Sequence, residues 1–213
     1  MTYRILVMAK APVPGTVKTR LGLPPQDAAG LQAALIRDTV EKARSLAPTT
    51  LAGAPADQLH LIRLILPDAV ALIPQPSGDL GGRMLAGSRA LFGTSPDPVL
   101  LLGTDAPTLP TEAIETAASA LDLHDISIIP STDGGYVLLG LRRPVAAVFR
   151  GVDWSTEAVH RQTLERAEEA GLSVHEGNPW YDVDEPEDLD RLRGELDPRP
   201  HLAPRTADFL GRM

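Results

Sequence analysis

An α/β fold built on a mostly parallel sheet is what this sequence predicts, on three observations. Apolar runs rich in Val, Ile and Leu alternate with stretches of helical periodicity. Several of these runs are continuously apolar, as in strands covered by helices on both faces, so three layers are expected: helix, sheet and helix. Finally, 43% hydrophobic and 23% charged residues suit a packed chain, and 213 residues are enough for one sizeable core.

The elements follow in order. RILVMA (4–9) opens the sheet, a helix over 27–46 follows, and LHLIRLIL (59–66) and AVALIP (69–74) read as the next strands. A helix begins near Asp79, then come PVLLLG (98–103), a helix from Thr111, ISIIP (126–130), YVLLGL (136–141), a helix near 155–170 and LSVHE (172–176). The turn Asp133-Gly134-Gly135 between two apolar runs is of the hairpin kind, so one antiparallel element is expected in the sheet. Residues 1–196 form a single domain in this reading. The proline-interrupted tail 197–213, anchored by Leu202, Phe209 and Leu210, packs on the body or on the second subunit of a homodimer.

Composition narrows the chemistry. The absence of cysteine excludes a disulfide framework, a zinc ribbon and a thiol nucleophile, and leaves oxygen ligands suited to Mg²⁺ or Mn²⁺. A net charge of −8 argues against general nucleic-acid binding. The sequence begins directly on a strand, and no apolar run is long enough to cross a bilayer, so a cytoplasmic protein without membrane contact is expected. The five histidines are scattered, with no paired spacing, and receive no catalytic role.

Against this acidic background, MAKAPVPGTVKTRLG (8–22) gathers Lys10, Lys18 and Arg20 around Gly15 directly after the first strand. In open α/β sheets a loop leaving a strand's carboxyl end and entering a helix is where phosphates bind, so these residues are candidates for neutralising phosphate oxygens. A Walker loop is excluded because Val17 precedes Lys18, and no G-x-G-x-x-G follows the strand. QPSGDLGGRM (75–84) sets Gly78, Gly81 and Gly82 at a helix start, either as a close approach for a base or ribose or as a turn with Asp79 as N-cap. VLLLGTDAPTLP (99–110) delivers Asp105 to a strand end, where a buried carboxylate is costly unless a cation such as a divalent metal meets it; the other reading is a cap or turn aspartate, with Pro107 and Pro110 stopping the strand. Asp182 and Asp184, two apart in an extended segment, face one side and are candidates to share a metal with Asp105. Asp182 is the better ligand, since Asp184 with Glu187 three residues on also reads as a helix cap.

KAPVPGTVKTRL, GDLGGRM, GTDAPTLP, DGGYVLLGL, DWST and DVDEPEDL, in this order, resemble the bacterial selenodomain-associated transferases of the nucleotide-diphospho-sugar transferase superfamily, which has the GT-A fold. The resemblance runs from about Arg4 to Leu192. That superfamily also holds guanylyltransferases for molybdenum cofactor and for 2-phospho-L-lactate. The resemblance implies a Rossmann-like mixed, mostly parallel sheet, a nucleotide in the half nearest the N-terminus, and a divalent metal on Asp105. Lys10, Gly15, Lys18 and Arg20 would hold the donor phosphates, and Gly78, Asp79, Gly81 and Gly82 would lie beside the nucleoside. Asp133, Gly134, Gly135 and Tyr136, with Trp154 and Ser155, fall on the acceptor side, or serve as a hairpin turn, a half-buried aromatic and a helix cap.

Two departures bear on activity. TDA stands around Asp105 where sugar-nucleotide glycosyltransferases of this fold carry D-x-D, and the first loop lacks the two adjacent glycines of sugar and molybdenum nucleotidyltransferases. The favoured expectation is a nucleotidyltransferase moving NMP from a nucleoside triphosphate to a small-molecule acceptor, with Lys18, Arg20 and Asp105 as catalytic residues. The alternatives are a glycosyltransferase using a nucleotide sugar and a non-catalytic nucleotide-binding protein.

Overall fold

In the computed structural model, which describes residues 2–213, a seven-stranded sheet forms the centre of the molecule. Its strands are β1 (Arg4–Lys10), β2 (Thr49–Ala54), β3 (Ala71–Pro74), β4 (Val99–Leu102), β5 (Ile126–Pro130), β6 (Tyr136–Leu141) and β7 (Val174–Glu176), in the order β3-β2-β1-β4-β6-β5-β7. Only β6 runs antiparallel to its neighbours, β4 and β5, so the Asp133–Gly135 turn does make a hairpin. The sheet is mixed and mostly parallel, as the apolar runs predict.

Alternate residues of each strand feed opposite faces. Ile5 and Val7 of β1 pack with Ile36, Val40 and Ala43 of α1 (Pro25–Leu46) and with Ile114 and Ala117 of α4 (Thr111–Ala120). Leu6 faces the other way, toward Met84 and Leu91 of α3 (Leu80–Phe92), while Ala167 of α5 (Val159–Glu169) joins the same cluster. These are the helix, sheet and helix layers.

The stretch 59–66 departs from expectation. Leu59–Arg63 is a short helix, α2, and the strand is the preceding TTLAGA. Ile62 and Leu66, four apart, are buried while Leu64 is 80% exposed, which is helical spacing. The Thr-, Ala- and Gly-rich β2 has little apolar content of its own. It becomes a strand because β1 and β3 pair with it on both sides.

A third apolar cluster covers the outer face of α1, where Leu31 and Leu35 meet Tyr181, Val183, and Leu189 and Leu192 of α6 (Pro186–Leu196). The tail adds α7 (Pro204–Leu210), which lies along α1, and Asp38 of α1 accepts the Arg205 and Thr206 amides at its N-terminus at 3.0 and 2.8 Å. Among the described residues, no helix is long and apolar enough to cross a membrane.

The carboxyl ends of the parallel strands β1 to β4 share one edge, so the loops 11–24, 55–58, 75–79 and 103–110 open on the same side. The hairpin 131–135 and the segment 180–184 join them: the Trp180 amide donates to Pro130 O, and the Val183 amide to Asp105 O.

Candidate active site

All four residues of β4 are buried, and the strand ends in Gly103-Thr104-Asp105. The turn is held from behind by α1. The Gln32 carboxamide donates to Thr104 Oγ1 at 3.3 Å, and the Lys42 ammonium donates to Pro107 O and Leu109 O at 2.6 and 2.7 Å. Burial pulls the Lys42 pKa down to about 8, opposed in part by the negative charges of Asp38, Glu195 and Glu112. Asp105, by contrast, keeps 41% of its side chain exposed toward the cleft.

The cation facing Asp105 is Lys18. Its side chain is only 4% exposed, and the ammonium lies 2.6 Å from Asp105 Oδ1, 3.1 Å from Asp184 Oδ1 and 2.6 Å from Val183 O. An ammonium has three protons, so these three acceptors use them all. Burial alone would lower the Lys18 pKa, but Asp105 and Asp184 outweigh it and raise it. The loop reaches this position through a turn with Gly15 at φ +79° and with Lys18 itself at φ +50°, in the left-handed region that a lysine rarely adopts. The next helix starts at Pro25, so the cations sit on the loop and not on the first turn of α1.

Arg20 is 61% exposed and donates to Asp184 Oδ2 at 2.6 Å, with Glu185 at 3.3 Å. Burial pushes the Asp184 carboxyl up, yet Lys18 and Arg20 outweigh burial and hold it below the usual carboxylate range. Asp184 is not a cap: Glu185 is the N-cap of α6 in a capping box with Asp188, one residue beyond the expected pair. Tyr181 and Val183 are buried while Asp182 and Asp184 alternate toward the cleft, as extended spacing predicts. Asp182 accepts from Ser131 Oγ at 2.5 Å. Burial pushes its carboxyl up to about 6, opposed by the Ser131 bond and reinforced by the nearby Asp133 and Asp184.

A cavity of about 640 Å³ opens beside this centre, between the ends of β1, β2 and β3. Lys10, Ala11, Val13 and Thr16 line it from the basic loop, Ala54 to Gln58 from the turn after β2, and Gln75, Pro76, Ser77 and Arg83 from the entry to α3. Lys10 makes no ion pair among the described residues, whereas Arg83 Nε donates to Gly78 O at 2.9 Å. Gln75 is buried and donates to Ala9 O and Ala52 O at 3.2 and 2.7 Å, locking this wall to the sheet.

The residues expected beside a nucleoside flank this cavity more than they line it. Asp79 is the N-cap of α3, its Oδ1 accepting from the Gly82 amide at 2.7 Å. A Cβ on Gly81 would lie 2.3 Å from the Trp154 ring, so that glycine makes room for the indole. Trp154 in turn stacks on Phe149 with ring centroids 6.5 Å apart. Gly78 takes φ +122° in the turn.

On the acceptor side, Asp133 Oδ1 accepts from the Gly135 amide at 2.9 Å, and Gly134 O accepts from the His160 amide at 2.8 Å. Gly134 has no room for a side chain, since a Cβ would meet Glu157 O at 2.2 Å. Burial raises the Tyr136 hydroxyl pKa far above the phenol range, and Ser155 is exposed with φ +66°. Sequence reasoning passed over Gln75, Arg83, the turn 55–58, Gln32 and Ser131. Ser131 stands beside the DGG turn, and Gln75 and Arg83 lie within the glycine-rich segment 75–84, whereas Gln32 and the turn 55–58 carry no local pattern and gain meaning only from the loops that meet around them.

The donor set suits a hard divalent ion at Asp105, whose Oδ2 has no hydrogen bond among the described residues. Asp184 has both oxygens on cations, and among the described residues no three acidic or histidine side chains group as a metal cluster.

The family model described as "Uncharacterized protein conserved in bacteria (DUF2064)" matches residues 27–156. A crystal structure from Desulfovibrio desulfuricans G20, provisionally assigned as a nucleotide-diphospho-sugar transferase, is 31% identical, with TM-score 0.91 over 100% of this chain and 95% of that one. Two more distant structures share the fold. One is a nucleotidyl transferase from Methanothermobacter thermautotroptrophicus (15% identity, TM-score 0.64, 92% and 98% covered). The other is a CMP:2-keto-3-deoxy-manno-octonic acid synthetase complexed with CTP (12% identity, TM-score 0.57, 93% and 99% covered). No curated protein matches the chain.

Proposed function

We propose, from the premise that this chain belongs to the bacterial DUF2064 family, that it is a metal-dependent nucleotidyltransferase that moves NMP from a nucleoside triphosphate to a small acceptor. The observation that carries the reading is Asp105, half exposed at a strand end and backed by a buried lysine, next to a cavity of about 640 Å³ with a mostly apolar wall that carries an unpaired Lys10. This lies in the half of the sheet nearest the N-terminus, and the fold is shared with a nucleotidyl transferase and a CTP-bound synthetase. The finer kinship with the selenodomain-associated transferases rests on the six segments of the sequence.

The cavity takes the nucleoside, with Lys10 and Arg83 on its wall as the cations that meet phosphate oxygens; the exposed Arg20 would join them only by exchanging its pairing with Asp184. Asp105 would hold Mg²⁺ or Mn²⁺, which when bound would supply positive charge to offset the negative charge developing on the phosphates. An acceptor oxygen bonds to the α-phosphorus as the bond to pyrophosphate breaks, and no nucleophile of the protein is required. Lys18, its three protons already shared among protein oxygens, orients Asp105 and Asp184 and does not touch phosphate. Asp133, Asp182 and Trp154 stand where an acceptor enters. We place the protein in the cytoplasm.

The provisional assignment of the Desulfovibrio protein favours a second reading, sugar transfer from a nucleotide sugar at the same site. Incubation with Mg²⁺ or Mn²⁺ and a panel of nucleoside triphosphates and nucleotide sugars separates the two. Pyrophosphate release supports nucleotidyl transfer and free nucleoside diphosphate supports sugar transfer. Saturable binding without either product reduces the site to a nucleotide binder.

A further inference from the structure

Lys18 is held more tightly than a phosphate-binding lysine on a mobile loop would be. Its backbone is in the left-handed region at φ +50°, where a non-glycine residue persists only if its surroundings hold it. Its ammonium is fully coordinated by two carboxylates and a carbonyl that come from segments far apart in the chain. A divalent ion shared between Asp105 and Asp184 would have to occupy the space of that ammonium, since Mg²⁺ sits about 2.0–2.1 Å from its oxygens. Beside the ammonium it would meet strong like-charge repulsion. Arg20 occupies the second oxygen of Asp184, so Lys18 and Arg20 already match the two carboxylates in charge. What remains for a metal is the outward oxygen of Asp105, one ligand where Mg²⁺ asks for six, the others normally coming from water and substrate phosphates.

We propose that the Lys18 ammonium is the resident cation of the Asp105–Asp184 pair, so that the protein admits a divalent ion only together with a nucleotide whose phosphates complete its shell. The second half rests on the function proposed above; the first does not. Lys18 is then a positioning residue that keeps two carboxylates together without a metal and sets the order of binding.

Mn²⁺ binding, read from the free-ion electron paramagnetic resonance signal, tests this without any turnover. Wild-type protein titrated with Mn²⁺ alone should take it up at least about tenfold more weakly than in the presence of one of the four nucleoside triphosphates, after allowance for Mn²⁺ bound by free nucleotide. Lys18→Met should bind Mn²⁺ alone at least about tenfold more tightly than wild type, and Lys18→Met with Asp184→Asn should lose that gain. Tight uptake of Mn²⁺ alone by wild type, abolished by Asp105→Asn, overturns the proposal, and this arm needs no Lys18 variant to fold. A Lys18→Met protein that folds and gains no affinity also overturns it. If Lys18→Met gains affinity but no triphosphate promotes uptake by wild type, the ammonium is the resident cation and the nucleotide reading fails.

Discussion

The two halves of the cleft differ in how their charges are used. Around Asp105, opposite charges already satisfy one another: Lys18 is buried between two carboxylates and a carbonyl, and Arg20 closes on Asp184. In the neighbouring cavity Lys10 is unpaired among the described residues, and Asp57, Gln58, Ser77 and Arg83 share a mostly apolar wall with it. The first arrangement is preorganised, and the protein meets its electrostatic cost on folding. The second is left for a ligand. The difference separates residues whose loss should damage chemistry or stability from those whose loss should weaken binding.

The largest effect expected is at Asp105. Asp105→Asn keeps the shape but removes the charge that draws the metal, and turnover in the nucleotide assay should fall by about a thousandfold with the fold intact by circular dichroism. Lys18→Met comes next. It leaves two part-buried carboxylates facing each other, and after allowance for their exposure the unfolding free energy should drop by about 2 kcal/mol in urea titration. A change as small as that of an ordinary surface lysine would mean that the ion-paired centre is not preorganised.

In the open half, Lys10→Ala should raise the KM for nucleotide about tenfold while changing kcat and melting temperature little, since the exposed Lys10 side chain makes no ion pair among the described residues and only its backbone serves the sheet. The smallest effect is at Asp182. Its folded pKa of about 6 lies above the ordinary 3.8, so the folded state binds the proton more tightly. Stability tied to this group is full below that ordinary value and is lost as pH rises through about 6. Asp182→Asn should therefore melt higher than wild type at pH 7.5, by a margin that closes between pH 6 and 4. Equal margins at both ends of that range would remove the buried-carboxylate interpretation.

Much of the fold was legible because local pattern and final structure agree. The runs at 4–9 and 99–102 are strands, 27–46 lies within α1, Asp79 caps α3 and the DGG turn makes a hairpin. The site was legible in part. Asp105 at a strand end and the alternation of Asp182 and Asp184 follow from spacing alone. The cap of α6 fell one residue away because three acidic residues compete for it within 184–187, and backbone direction, not composition, selects Glu185.

The sequence by itself determined the strand cores, the long helix and the placing of a carboxylate and a basic loop at one sheet edge, because hydrophobic period and turn chemistry act over a few residues. Only the tertiary structure decided that TTLAGA is a strand, that Trp154 fills the space left by Gly81, and that Lys18 binds Asp184, 166 residues away. Those outcomes depend on which partner segments arrive. The free energy of a buried ion pair or a paired strand belongs to the contact, and neither residue carries it alone.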